Sequence, residues 1–347
     1  MEHCHSVNMN FLPVSENSIK QAAEILHNGG LVAFPTETVY GLGADAFNRS
    51  AIAKIFEVKN RPHFDPLIVH IAAIETLEKV ANLSLLDDGT RKMLFLLAEN
   101  LWPGPLSFVL PKSKKIPDLA TAGLPTAAIR FPDHETAQKI ISLSSGAVAA
   151  PSANPFGSLS PTKAEHVRDK LGEKVDLILD GGLARIGLES TVLDITGKSI
   201  KILRPGGTPK EAIEKLIGKV EDVSVSAAGE TGGLASPGQL KSHYAPRTPL
   251  SALSREEIID QPYEKKAAYL FFDGLTKDAW LKSQKPPEFA EIRVLSETGQ
   301  AIEAASRLFE TLHELDNGRI FRIFAQLAPS QGLGTAINDR ILRGSSA

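Results

Sequence analysis

Apolar positions recur along the chain in two alternating rhythms. Residues 17–30, "NSIKQAAEILHNGG", set Ile19, Ala22, Ala23 and Leu26 at helical spacing behind a polar cap and stop at Gly29, which predicts an amphipathic helix. "LVAFPT" then reads as a short apolar strand running into a turn, "SAIAKIFEVKN" as a helix capped by Ser50, and "PLIVHI" as the next strand. Further on, "TAAIRF", "AVAAPS", "VDLILDGG", "STVLDIT" and "KILRPGG" are short enough and apolar enough to be buried strands. The segments "TKAEHVRDKLG" and "TPKEAIEKLIG" read as helices opened by capping boxes, Thr162 with Glu165 and Thr208 with Glu211, with Pro209 at the first helical position. Strands and helices in this alternation predict an α/β or α+β domain on a mixed sheet.

The alternation stops near residue 222. The stretch "SVSAAGETGGLASPGQLKSHYAPRTPL" is rich in Gly, Ser, Ala and Pro, as in a linker or an ordered loop that crosses between domains. A second, smaller α/β unit follows: strands "KAAYLFF" and "EIRVLS", a long helix "GQAIEAASRLFETLHELDNG", strand "RIFAQLA" and a last helix in "GTAINDRILRG". The expected division is therefore a first domain over 1–222, a linker over 223–250 and a second domain over 251–347, in keeping with a length of 347 residues.

Composition narrows the function classes. Hydrophobic residues make up 42% and charged residues 23%, the balance of a soluble chain able to bury a core. No run reaches the length of a membrane span and the first residues carry no apolar or Arg-rich leader pattern, so a cytoplasmic protein without membrane contact is expected. The single cysteine, Cys4, excludes a disulfide framework and a Cys-based zinc site. A net charge of −3 gives no global attraction for nucleic acid, so any contact with RNA must come from a local patch or a partner.

Candidate chemistry lies where polar residues interrupt apolar strands. Thr36 follows a strand end in "GLVAFPTETVYGLG", beside Gly41 and Gly43, at a place where α/β folds put ligand sites. In "FEVKNRPHFDPLIVH", Lys59 and Arg61 stand at a helix C-terminus, where cations also serve simply to offset the macrodipole. Two prolines then stiffen the loop, more than a solvated surface pair requires, before a strand that ends on His70. The densest signal is "GAVAAPSANPFGSLSPT": Ser152, Asn154, Ser158, Ser160 and Thr162 in one loop feeding a helix, which suits an anion cradle as well as a capped turn. Arg130 and Arg204 each interrupt an apolar strand, an expensive position unless the guanidinium meets a carboxylate or a phosphate. Three basic sites at strand ends point to a small polyanionic ligand. There is no Walker loop, no Rossmann Gly motif, no H-E-x-x-H and no nucleophile elbow, so catalysis should rest on positioning and charge stabilisation.

Taken as a series, "FPTETVYGLG", "KNRPHFDPLIVH", "LWPGPLSFVL", "AIRFPDH", "APSANPFGSLSPT", "GLESTVLDIT" and "ILRPGG" resemble, in order and spacing, the YrdC-type threonylcarbamoyl-AMP synthases over residues 15–220. The "SPGQLKSHYAPRTPL" segment and the trailing unit resemble the long, two-domain form. The resemblance implies a twisted open mixed β-sheet of the YrdC-like (DHBP synthase-like) kind plus a Rossmann-like C-terminal domain. It implies the conversion of L-threonine, bicarbonate and ATP, with Mg²⁺, into threonylcarbamoyl-AMP, pyrophosphate and water. A tRNA-modifying transferase complex would then move the group onto the adenosine beside the anticodon. By the same resemblance Lys59 and Arg61 would be catalytic and hold the triphosphate, with Thr126, Ser152, Asn154, Ser160, Arg204 and Tyr244 completing the ATP site. Thr36, His70, Arg130 and Ser190 would bind threonine, Arg130 through its α-carboxylate. Thr126 would stand at the boundary of the two sites, and Tyr244 would fold over the nucleotide as part of a lid. The family often has Asn where this chain has Asp65, which leaves that carboxylate open to several roles, Mg²⁺ binding among them. The rival expectation is a double-stranded RNA or tRNA binding module without turnover, or a weak tRNA contact added to the enzyme.

Overall fold

The computed structural model describes residues 10–197, 199–222 and 243–346. The chain opens with β1 (Phe11–Pro13), α1 (Glu16–His27), β2 (Val32–Phe34), β3 (Gly41–Asp45), α2 (Arg49–Lys59) and β4 (Ile68–Ile71). It continues with α3 (Leu77–Val80), α4 (Asp88–Leu101), β5 (Leu106–Pro111), β6 (Thr126–Arg130), α5 (Glu135–Leu143) and β7 (Ala147–Ala149). Next come α6 (Ala164–Leu171), β8 (Leu177–Asp180), β9 (Thr191–Asp194), β10 (Lys201–Arg204), α7 (Lys210–Ile217) and β11 (Glu221–Asp222). These strands form one mixed sheet in the order β1-β8-β2-β3-β7-β4-β6-β5-β9-β10-β11. The later segment holds β12 (Leu250–Leu253), α8 (Arg255–Asp260), β13 (Ala267–Asp273), α9 (Gly274–Gln284), β14 (Glu291–Ser296), α10 (Ala301–Leu315), β15 (Arg322–Gln326) and α11 (Leu333–Ser345). Its sheet, ordered β12-β15-β13-β14, is parallel throughout, with helices connecting its strands. No helix among the described residues is long and apolar enough to cross a membrane.

Alternation along the strands sorts the two faces of the large sheet. Val69 and Ile71 of β4, Ala127 and Ile129 of β6, and Leu106, Phe108 and Leu110 of β5 enter the main core. Their neighbours Ile68, Ala128 and Val109 share a small second cluster with Val192 and Leu203 on the other face. A further core brings the two sheets together, since Val39, Leu159 and Leu188 belong to the same cluster as Leu308, Phe309 and Ile337. Gly187 lies within this seam at φ +73°, and a Cβ there would stand 2.7 Å from the Ala305 carbonyl oxygen.

Three local expectations are corrected. Helix α2 is capped by Asn48, not Ser50: the Asn48 side chain accepts from the Ala51 amide at 3.1 Å. No side chain caps α6, because the Thr162 amide turns to His166 Nδ1 at 3.3 Å. Thr208 is engaged by β9, its amide donating to Thr191 Oγ1 at 3.1 Å and its carbonyl accepting the Thr191 hydroxyl at 2.6 Å. Pro209 consequently occupies the cap position itself, and Glu211 accepts the Gly332 amide of the second unit at 3.1 Å. At α7 partners distant in sequence outcompete the local cap, while at α6 the competitor is His166, one turn further along the same helix.

Candidate functional site

The face of the sheet that carries Ile68 and Ala128 also carries His70 and Arg130, which sit side by side in the β4/β6 register. Ser107 of β5 is directly opposite Arg130. Of these, Ile68, His70 and Arg130 form one wall of a partly open cavity. The loop after β2 supplies another wall. There the Thr36 hydroxyl donates to the Val39 carbonyl at 2.6 Å and lies 2.8 Å from the Thr38 hydroxyl. Arg130 is held by this loop and its neighbours: Nη1 donates to Thr38 at 2.9 Å, Nε to the Gly104 carbonyl at 3.2 Å, and Nη2 lies 2.6 Å from Glu37. His70 is buried beside that guanidinium, and burial followed by the Arg130 charge pushes its imidazole down to about 3. It is therefore a neutral ring at working pH, and its Nδ1 has no hydrogen-bond partner among the described residues.

The cations of the α2 C-terminus are not a solvated pair offsetting a dipole. Lys59 is 1% exposed, and its ammonium donates to the carbonyls of Ser152, at 2.6 Å, and Asn154. Burial, then the neighbouring Arg61, hold its pKa well below the usual lysine range, with Asp65 opposing. Arg61 is wrapped by its own loop: Nη2 meets Asp65 at 2.9 Å and the Pro66 carbonyl at 2.7 Å, while Nε donates to the Asp65 carbonyl at 3.1 Å. Asn60, left-handed at φ 50°, makes the turn that brings Arg61 back under Lys59. Asp65 is thus the ion-pair partner of Arg61, with burial raising its carboxyl and Arg61 opposing that rise.

The Ser-rich loop lies against the same cavity. Ser152 bridges to Gly41 and lines the wall. Asn154 braces the loop from behind, donating to the Ser158 carbonyl at 2.8 Å, and its Oδ1 is buried with no hydrogen-bond partner. Ser160 donates to Glu189, a buried carboxylate that lines the cavity. Burial pushes the Glu189 carboxyl up, but Arg340, Arg204 and Ser160 together hold it below its ordinary value. Arg204, at the end of β10, donates to the Ser190 carbonyl at 2.8 Å and the Ser190 hydroxyl at 3.2 Å, and that hydroxyl lies 2.8 Å from Ser107.

Tyr244 closes one side. It is buried at φ 62°, lines the cavity, and meets the His243 ring edge-on with centroids 4.1 Å apart. The next residue ties this segment to the Ser-rich loop through the Ala245 amide and the Gly157 carbonyl at 2.8 Å. Residues 223–242, most of the expected linker, lie outside the described residues.

The cavity wall therefore gathers Thr36, Arg61, His70, Arg130, Ser152, Ser190, Arg204 and Tyr244 from the expected set. Lys59, Asn154 and Ser160 lie just behind it, each bonded to a lining residue or supporting the lining loop. Thr126 is not among the residues lining the cavity. It shares a face with Arg130 but begins β6, pairing with Pro111, four residues or about 13 Å from the cavity end of that strand. Glu37, Thr38, Glu189, His243 and Arg340 were not foreseen. A carboxylate inside the apolar run "GLESTVLDIT" was the one available signal, for Glu189. Three guanidinium groups and a neutral imidazole facing one partly open cavity can take a polyanion together with a small polar molecule.

Comparison with known proteins agrees with this chemistry. A family model described as "Telomere recombination" matches residues 24–206, and one described as "Threonylcarbamoyl-AMP synthase, C-terminal domain" matches residues 208–346. The threonylcarbamoyl-AMP synthase of Pyrococcus abyssi is 40% identical over 96% of this chain and 95% of its own length. That of Bacillus subtilis is 38% identical over 96% and 94%. The crystal structure of P. abyssi Sua5 complexed with L-threonine superposes with a TM-score of 0.81 at 36% identity, covering 96% of both chains.

Proposed function

The chain belongs to the threonylcarbamoyl-AMP synthase family, and we propose that this cavity is where that reaction takes place. The enzyme converts L-threonine, bicarbonate and ATP into threonylcarbamoyl-AMP, pyrophosphate and water, for modification of tRNA next to the anticodon. The amine adds to the bicarbonate carbon with loss of water, a carbamate oxygen attacks the α-phosphorus, and the bond to the β-phosphate breaks as pyrophosphate leaves. Charge develops on phosphate oxygens, so the protein's part is positioning and electrostatic stabilisation.

The observation that carries the assignment is the convergence of Arg61, Arg130 and Arg204 with the neutral ring of His70 on one partly open cavity. In our reading Arg61, Arg204 and the Ser152–Ser160 loop, braced by Lys59 and Asn154, hold the triphosphate. Arg130 donates two of its five N–H groups to Gly104 and Thr38 and pairs with Glu37 without a hydrogen bond, leaving N–H groups for the threonine carboxylate. His70 Nδ1 is a ready acceptor for the substrate amine or hydroxyl, with Thr36 and Ser190 beside it. Tyr244 covers the nucleotide end, excluding water from an adenylate that hydrolyses readily.

The donor set does not make a cage for Mg²⁺: Asp65 is spent on Arg61 and Glu189 on Ser160 and Arg340, and no group of three His, Cys, Asp or Glu among the described residues is placed to hold an ion. Mg²⁺ would come with the ATP phosphates, keeping its waters. We divide the chain into a catalytic unit (1–222), a crossing segment (223–250) and a small domain (251–347). We place a tRNA-modifying transferase complex downstream as the acceptor of the adenylate, in the cytoplasm.

The test is pyrophosphate release with and without L-threonine and bicarbonate, together with mass detection of the adenylate. Release requires both co-substrates, and Arg130→Gln raises the threonine KM by about 10²-fold, the cost of removing one partner of a buried charge pair. The same variant leaves ATP binding within about threefold. Equal losses for threonine and ATP would remove Arg130 from the threonine end. Salt-sensitive tRNA binding without turnover would instead favour the RNA-binding reading.

A further inference from the structure

Arg340, in the C-terminal helix α11, is 1% exposed and reaches out of its own domain. Its Nε donates to Glu189 at 2.7 Å and its Nη2 to the Pro205 carbonyl at 3.0 Å, the residue that follows Arg204. Its guanidinium carbon lies 4.7 Å from the centre of the Tyr244 ring, within the range of a cation–π contact. Asp339 takes Nη1, and is itself held by Arg343 at 2.9 Å, so the fork is fixed from behind. One side chain of the second domain thus grips a cavity-lining carboxylate, the turn carrying a cavity-lining arginine, and the covering tyrosine.

A buried Arg–Glu pair is weak evidence of stabilisation, because apolar residues of similar volume often serve a core as well. Its consequence at this place is electrostatic. Glu189 is an anion on the wall of a site for a polyanion, and Arg340 together with Ser160 occupies both of its oxygens. We propose that Arg340 is a positioning residue of the ATP end of the active site, acting through Glu189 and Tyr244, so that docking of the C-terminal domain completes the nucleotide site. The inference rests on the reading that the triphosphate lies against Arg61 and Arg204. Without Arg340, Glu189 faces the phosphates with only Ser160 and Arg204 against its charge, and Tyr244 loses the group on which its ring rests. Threonine, held near Arg130 and His70, is not touched by either change.

The experiment measures ATP and L-threonine affinities separately by calorimetry on the full chain, each ligand alone so that no turnover occurs. Arg340→Met raises the ATP Kd by about tenfold or more, as for removal of one member of a buried pair, with threonine affinity within about threefold. Glu189→Gln added to Arg340→Met restores most of the ATP affinity, since it removes the stranded charge; a role confined to folding gives no such rescue. Arg340→Lys, which keeps the charge without the planar fork, gives an intermediate loss and serves if the methionine variant does not fold. An ATP affinity unchanged in Arg340→Met while Arg61→Ala lowers it overturns the inference. So does an equal loss for both ligands that Glu189→Gln does not relieve. If Arg61→Ala itself leaves ATP binding intact, the placement of the phosphates fails first and the inference falls with it.

Discussion

Lys59→Met is expected to cut pyrophosphate release by about 10²–10³-fold, the usual consequence of deleting one preorganised donor from a site where phosphate charge develops. The substitution keeps the length of the side chain and removes its charge. Two of the three ammonium protons are engaged by the Ser152 and Asn154 carbonyls, so one donor direction remains for a ligand behind the loop. Desolvation already works against the charged form, and Arg61 adds to that pressure. A triphosphate entering the cavity reverses the balance, which makes the ammonium worth more with ATP bound than without it. Stability should change much less than activity. Leaving the Asn154 carbonyl without its donor costs about 1–3 kcal/mol, the Ser152 carbonyl keeping the Asn154 amide at 3.0 Å, while relief from burying the ammonium offsets part of it. The check is kcat/KM for ATP alongside a thermal melt and a threonine titration. A fall in rate with threonine affinity retained marks Lys59 as part of the phosphate site. A rate within tenfold of the wild type would leave it only a brace for the Ser152–Asn154 loop.

The strands that build the cavity were legible because a cation interrupting an apolar run is visible in sequence: Arg130 in "TAAIRF" and Arg204 in "KILRPGG" both face the site. Their partners were not legible. Glu37 is ion-paired with Arg130, far from it in the chain, and the Arg340–Glu189 contact joins residues 151 apart. Strand β3 escaped the pattern for another reason. "GLGAD" carries glycine where a strand usually carries bulk, but a Cβ on Gly43 would stand 2.6 Å from the Phe34 ring and 2.8 Å from Val148. The neighbouring strands demand glycine there, and no local propensity records that demand. Thr126 has the parity of Arg130 and so shares its face, but the period of two tells the face and not the depth along the strand.

Acid should unfold this protein well above the carboxylate range. Burial holds the imidazoles of His70 and His166 down to about 3 and that of His313 to about 4, with Arg130 adding to the first and His313 to the second. In the unfolded chain each takes up its proton near 6.5. Above that pH neither state binds the proton and the full stability is present. As the pH falls below 6.5 the unfolded chain gains protons that the folded chain refuses, so stability is lost progressively until the folded pKa values are reached. Each such histidine costs about 1.4 kcal/mol per pH unit in that window, so three together approach about 4 kcal/mol per unit against a typical total of 5–15 kcal/mol. The seam between domains should give first. His166 and His313 stack across it with ring centroids 3.8 Å apart, and His313 Nε2 lies 3.0 Å from the Ser160 carbonyl of the Ser-rich loop. A proton forced onto either ring opposes the stack and loosens the loop that lines the ATP end, so activity should decline before global unfolding. Urea melts at pH 7.5, 6 and 5 read the slope. His313→Gln, which keeps a donor toward Ser160 but cannot ionise, should flatten it by about 1.4 kcal/mol per pH unit. A stability that is level from pH 7.5 to 5, or a slope that His313→Gln leaves unchanged, would mean that these rings are already reached by water in the folded state.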